Sequence, residues 1–229
     1  DPDRVLARLD SFIAAYGARA MLFETWTANP RSFELLLLLF DRSEFLAEIA
    51  IRTPDLVEDL VQSGHLRRSK AAEEILHELQ LGAADADQRQ WLRRYHQAEF
   101  MRIGLRSILG LVDGELNFIE LTALAEACLQ YALEAVQRRH KLKSAPLAIV
   151  GLGKLGGREL NYGSDLDILF VADDKARASL PKLQRVAAEV MDLLSSQTEL
   201  GVAFVTDARL RPDGEKGLLV NTLGAYEDY

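Results

Sequence analysis

The chain has a single cysteine, Cys128, among 229 residues. That excludes an internal disulfide framework and any multi-cysteine metal site. A basic excess is also lacking. The 27 Lys and Arg stand against 35 Asp and Glu, for a net charge of −8. Non-specific binding to a nucleic-acid backbone is therefore not expected, although a basic pocket inside an acidic protein remains open. The longest conspicuous apolar run, Leu35 to Phe40, is far too short to span a bilayer. The first residues, Asp-Pro-Asp-Arg, lack the basic-then-apolar pattern of a secretion signal. Together these absences point to a cytoplasmic protein with no membrane partner.

What is present is the composition of a globular chain. Hydrophobic residues make up 48% and charged residues 27%, which is ample for a core and unlike a disordered segment. The length suits one large domain or two small ones. The sequence does not begin with Met and stops at Tyr229 just as a helix is due after Asn221 and Thr222. It reads as a fragment of a longer protein, truncated at the C-terminal end of its last domain.

The chain changes character near residue 145. Residues 1–143 hold few glycines and read as helices, forming an all-α domain. Leu121, Leu124, Cys128, Tyr131 and Ala135 recur at 3,4,3,4 spacing and share one helix face. Glu126, Gln130, Glu134 and Gln137 take the other. Trp91, Tyr95, Ala98, Leu105 and Leu109 draw a similar stripe, interrupted by Arg102. Pro30, Pro54 and Gly64 punctuate the shorter helices before it, and Ser43 and Thr53 read as N-caps. His65, His77, His96 and His140 have no ligand spacing and read as surface or core histidines.

Lys141 to Pro146 is a short basic linker, after which the period switches. Leu147 to Val150 and Leu166 to Val171 read as strands. Leu180 to Leu200 reads as a helix ended by Gly201, and Val202 to Asp207 as a third strand. Residues 144–229 are thus an α/β domain, and the fold class is α+β.

The loop Gly151-Leu152-Gly153-Lys154-Leu155-Gly156-Gly157 contains a formal G-x-G-x-x-G after a strand. A dinucleotide fold would need a helix of ten or more residues to return to a parallel strand. Only Arg158 to Ser164 are available, so that reading fails. A Walker loop fails too, because Leu155 and not Ser or Thr follows Lys154. The chemistry lies further on, at Gly163-Ser164-Asp165-Leu166-Asp167. Side chains two apart on a strand face the same side. Asp165 and Asp167 would present two carboxylates to one accessible point, and Asp207 at the end of the third strand would supply a third. Such oxygens hold hard cations such as Mg²⁺ and suit in-line phosphoryl chemistry. The plainer alternative makes Asp165 a turn cap and Asp167 an edge charge.

Gly151 to Val171, followed by Val205 to Val220, resembles the nucleotidyltransferase superfamily of the DNA polymerase beta type. It resembles more closely the glutamine synthetase adenylyltransferase (glutamate–ammonia-ligase adenylyltransferase) family. Phe100 to Leu111 resembles the helical region that precedes the catalytic module there. The resemblance implies a small mixed sheet and AMP transfer from ATP, with Mg²⁺ or Mn²⁺, to a tyrosine of glutamine synthetase. It implies the PII signalling protein as a partner through other parts of a longer chain. The family has two similar modules, one adding AMP and one removing it by phosphorolysis. The run Asp207-Ala208-Arg209-Leu210-Arg211-Pro212 looks more like the adding half. The other readings are the removing half and a non-catalytic nucleotide- or protein-binding module.

Chemistry and resemblance together suggest the roles. Asp165, Asp167 and Asp207 would bind metal, and Asp207 would help deprotonate the tyrosine. Gly153, Gly156, Gly157 and Gly163 would let backbone approach the phosphates. Lys154 would add a point charge there or stay solvated. Ser164 would contact the triphosphate or cap the strand. Arg209 and Arg211 would face phosphate or acceptor, unless one pairs with an acidic neighbour. Asn161 and Tyr162 have open roles.

Overall fold

The computed structural model describes residues 1–82, 87–142 and 146–229. Residues 143–145, the middle of the expected Lys141–Pro146 linker and the place of the 143/144 domain boundary, lie outside the described residues. The chain divides into two compact units. One comprises Asp1–Ser69 and Gln97–Asn117, the other Lys70–His96 and Phe118–Tyr229.

The first unit is all helix: α1 (Pro2–Tyr16), α2 (Arg19–Ala28), α3 (Pro30–Arg42), α4 (Glu44–Arg52), α5 (Asp55–Ser63) and the part of α7 (Gln88–Ile108) from Gln97. Its core gathers Phe12, Leu22, Leu36, Leu39, Phe40, Leu46, Ala50, Met101 and Leu105. The leucine run of α3 supplies three of these, because Leu36, Leu39 and Phe40 follow helical spacing. The Ser43 side chain caps α4 by accepting the Leu46 N–H at 3.2 Å. Thr53 corrects an expectation. Its hydroxyl donates back to the Ile49 carbonyl at 2.8 Å, and α5 starts after Pro54 without a side-chain cap. Thr53 is the C-cap of α4, and Pro54 takes the N-cap position of α5 in its place. Gly64 ends α5 in the left-handed region, at φ 71°. The break in the α7 stripe is also explained. Arg102 is buried, bonded to Glu99 at 2.8 Å and to the Arg68 carbonyl at 3.0 Å.

The second unit holds α6 (Ala72–Leu81), α7 up to His96, α8 (Gly114–Arg139) from Phe118 on, and a four-stranded mixed sheet. The expected α8 stripe is buried along its length. The sheet comprises β1 (Leu147–Gly151), β2 (Leu166–Ala172), β3 (Thr206–Asp207) and β4 (Val220–Thr222). The remaining helices are α9 (Gly153–Gly156), α10 (Leu180–Ser195) and α11 (Leu223–Glu227). Strand β2 is central. It pairs antiparallel with β1 and parallel with β3 and β4. Its alternation buries Leu166, Ile168, Phe170 and Ala172 and leaves Asp167, Leu169 and Val171 half-buried. The antiparallel β1–β2 pair needs no crossover helix, which is the topology that the short spacing demanded.

Two elements are shorter than the sequence reading and one strand is new. Helix α10 stops at Ser195, because Ser196 is extended and Gly201 (φ 82°) instead serves a tight turn bridging to Thr198. Only Thr206 and Asp207 of the third strand pair with β2. Strand β4 was not foreseen, since three residues carry too little period to read. The expected late helix is α11, capped by the Thr222 hydroxyl, which accepts the Ala225 N–H. No described helix is long and apolar enough to cross a membrane.

Candidate active site

The site lies where β2 and β3 begin and end side by side. Their register sets Asp167 directly beside Asp207. Partners in a parallel pair point to the same side, so the two carboxylates share one face of the sheet. Asp165 precedes β2 by one residue and is exposed.

The glycine loop leaves β1 at Gly151 and folds back against β2. The Leu152 N–H donates to the Asp167 carbonyl at 2.8 Å. Gly153 has φ +50°, and a Cβ there would lie 2.5 Å from Asp167 Oδ2. The close approach that requires glycine is thus an approach to the candidate carboxylate. The Gly156 and Gly157 amides donate inside the turn, to the Leu152 and Gly153 carbonyls, each at 2.9 Å. Lys154 is exposed.

Residues 161–164 form a self-bonded turn. The Ser164 hydroxyl donates to Asn161 Oδ1 at 2.8 Å and accepts the Asn161 N–H at 3.2 Å. The Gly163 N–H also reaches Asn161 Oδ1, at 3.2 Å. This gives Asn161 a role that the sequence did not disclose: it fixes the turn that delivers Asp165.

The two arginines separate in function. Arg209 turns onto Asp207. Its Nε donates to Oδ1 at 3.0 Å and to Oδ2 at 2.9 Å, and its backbone N–H reaches Oδ1 at 2.8 Å. These side-chain bonds, then the backbone bond, hold the Asp207 carboxyl below the usual carboxylate range. Reciprocally, the Asp207 bonds and charge raise the Arg209 guanidinium, with Glu215 and Asp165 adding smaller attraction. Arg211 turns the other way, onto the backbone carbonyls of Ala208, Glu215 and Gly217. It braces the loop that joins β3 to β4.

Among the described residues, no three of His, Cys, Asp or Glu come together as a ready metal-holding group. Asp207 is engaged with Arg209 instead. The donor set nevertheless fits a hard divalent cation. It consists of carboxylate oxygens only, two of the aspartates are neighbours by register, and Asp207 is held ionised. A cavity of about 780 Å³ adjoins the glycine turn and is lined by Leu129, Leu133, Ile149, Gly151, Leu155 and Gly156 among others. None of the three aspartates lines it, and its lining carries no cluster of acids or bases suited to catalysis.

A glycine turn, an Asp-x-Asp strand and a parallel strand ending in Asp, set on a small mixed sheet, form a nucleotidyltransferase-like module. The family model described as Glutamate-ammonia ligase adenylyltransferase matches residues 33–229, and the chain belongs to that family. It is similar to the bifunctional glutamine synthetase adenylyltransferase/adenylyl-removing enzyme of Aromatoleum aromaticum, 34% identical over 236 residues. That match covers 100% of this chain and 25% of the relative. The proteins of that name from Pseudomonas syringae pv. tomato and Chromobacterium violaceum are 34% and 31% identical. The matches cover 100% and 99% of this chain, and 26% of each relative. The chain thus spans about a quarter of the length of the curated relatives it matches.

Proposed function

We propose that this chain is the catalytic module of a protein adenylyltransferase that moves AMP from ATP to a tyrosine hydroxyl of glutamine synthetase. The observation that carries the reading is the in-register pair Asp167 and Asp207 beside the glycine turn. The names of the relatives support the acceptor.

Asp165, Asp167 and Asp207 would hold Mg²⁺, or Mn²⁺ in its place. The bound cation would supply charge neutralisation for the triphosphate. In the reaction the tyrosine oxygen bonds to the α-phosphorus, the bond to the β-phosphate oxygen breaks, and pyrophosphate leaves. Asp207 is a weak proton acceptor while Arg209 stays on it, because that pairing lowers its pKa. Transfer of Arg209 to a phosphate oxygen would restore the basicity of Asp207 as substrate arrives. Lys154 is exposed at the glycine turn and free to add charge to the phosphates. Arg211 would keep the β3–β4 loop in shape and leave the phosphates to others.

Addition of AMP is preferred over phosphorolytic removal because of Ala208. Ala208 is small and buried, whereas the resemblance leads us to expect a bulkier residue after the aspartate in the removing half. A PII-type regulator would act through parts of the longer protein. The compartment proposed is the cytoplasm, where a lone buried thiol such as Cys128 stays reduced. Incubation with labelled ATP, Mg²⁺ and unmodified or adenylylated glutamine synthetase tests the reading. Label should pass to the unmodified acceptor. Phosphate-dependent release of AMP from the modified acceptor, without transfer, would instead assign the removing reaction.

A further inference from the structure

Strand β3 is two residues long, so its pairing with β2 alone is a slender support for Asp207. In a parallel pair successive amides face opposite ways. The Thr206 N–H therefore faces away from β2, where, among the described residues, no further strand pairs with β3. A side chain takes that place. The Ser195 hydroxyl, at the last residue of α10, accepts the Thr206 N–H at 3.1 Å. It also donates to the Phe204 carbonyl at 3.0 Å and lies 2.9 Å from the Thr206 hydroxyl. One hydroxyl thus ties α10 to the residue immediately before Asp207.

The end of α10 is itself clamped. Arg93 of α7 is fully buried, and its guanidinium donates to the carbonyls of Leu193, Leu194 and Ser196 and, more weakly, Gly201. The Leu193 and Leu194 carbonyls are among those a helix C-terminus leaves without intrahelical partners, and a cation there also suits the helix dipole. The Leu194 carbonyl in turn accepts the Ala203 N–H at 3.0 Å. The chain of contacts runs from Arg93 through the α10 terminus and Ser195 to Thr206, and so to Asp207.

We infer that Ser195, fixed by the Arg93 clamp, is a positioning residue that holds Asp207 beside Asp167. The inference rests on the reading of Asp207 as a site carboxylate. A flexible β3 would let Asp207 drift from Asp167 without unfolding the sheet, since β1, β2 and β4 pair independently of it.

The test uses Ser195→Ala, Ser195→Thr, Arg93→Lys and, as a reference, Asp167→Asn, all in the full protein. The readouts are Mn²⁺ affinity by paramagnetic resonance, AMP-transfer kcat, the KM for the acceptor and the melting temperature. Ser195→Ala should lose about 10- to 100-fold in Mn²⁺ affinity and kcat, as expected of residues that orient ligands from behind. Its acceptor KM should hold, and Ser195→Thr should restore the loss by keeping the hydroxyl. Arg93→Lys, which keeps the charge but cannot reach four carbonyls, should lose in the same two readouts. It keeps the inference testable if Ser195→Ala does not fold. Wild-type Mn²⁺ affinity and kcat in the serine or arginine variant, beside a dead Asp167→Asn, would overturn the positioning role. A melting shift alone would do the same. If Asp167→Asn itself behaves as wild type, the site reading fails and the inference falls with it.

Discussion

Gly153 sits over the carboxylate of Asp167, so close that a Cβ on it would lie 2.5 Å from Oδ2. The glycine also has φ +50°, where any other residue is strained. Gly153→Ala should therefore cost about 1–3 kcal/mol of stability and displace the Asp167 carboxylate. AMP transfer should fall more than the change in folded fraction explains. Urea titration beside a transfer assay checks this, and undiminished transfer would remove the glycine from the site.

Asp165→Asn and Asp167→Asn keep shape and remove charge. Without metal the melting temperature should hold or rise slightly, because crowded carboxylates repel one another. The stabilisation by Mg-ATP, which follows from binding to the folded state alone, should disappear. Transfer should drop by at least about 100-fold, given the several kcal/mol that metal neutralisation supplies. Melting curves with and without Mg-ATP, beside the assay, decide it. Normal transfer would return Asp165 to a turn residue and Asp167 to a structural carboxylate of the central strand.

Arg209 now occupies the carboxylate that a cation would need. Arg209→Gln should bind Mn²⁺ alone more tightly than the wild type, since a competing positive charge is gone. Transfer should nonetheless fall, because the same guanidinium is the one placed to move onto phosphate. Metal titration without nucleotide gives the first half and kcat the second. Weaker Mn²⁺ binding in the variant would show that Arg209 organises the site and does not compete for it.

His96 lies buried against Phe204, ring centroids 4.6 Å apart. Burial first, and the nearby Arg93 charge second, push its pKa down to about 3. In the unfolded chain the value is about 6.5. Between the two the unfolded state binds a proton that the folded state refuses, so stability falls as the pH drops below about 6.5 and goes on falling to about 3. At pH 5 the loss from this group is about 2 kcal/mol. His96→Gln should flatten the difference in urea midpoint between pH 7 and pH 5, and an unchanged difference would assign the acid sensitivity elsewhere.

Much of this protein was legible in its residues, for identifiable reasons. Periodicity placed α7, α8 and α10 because long amphipathic patterns average out local exceptions. The short span from Arg158 to Ser164 excluded a crossover helix on chain length alone. The spacing of two in Asp165-Leu166-Asp167 suggested two carboxylates on one side of a strand before any partner strand was known; Asp167 lies in β2 and Asp165 just before it. These are local properties, set by neighbours in the chain.

The sequence could not say which strand Asp207 would stand beside, nor that Arg209 would turn onto it while Arg211 braced the loop. The register of β3 on β2 decides the first, and the folded loop after β3, where both arginines lie, decides the second. Nor could it show that Gly153 makes room for Asp167, or that Arg93, 114 positions before Asp207 in the chain, clamps the helix end that steadies it. Those relations join residues far apart in sequence. Packing brings them together, and no spacing rule records it.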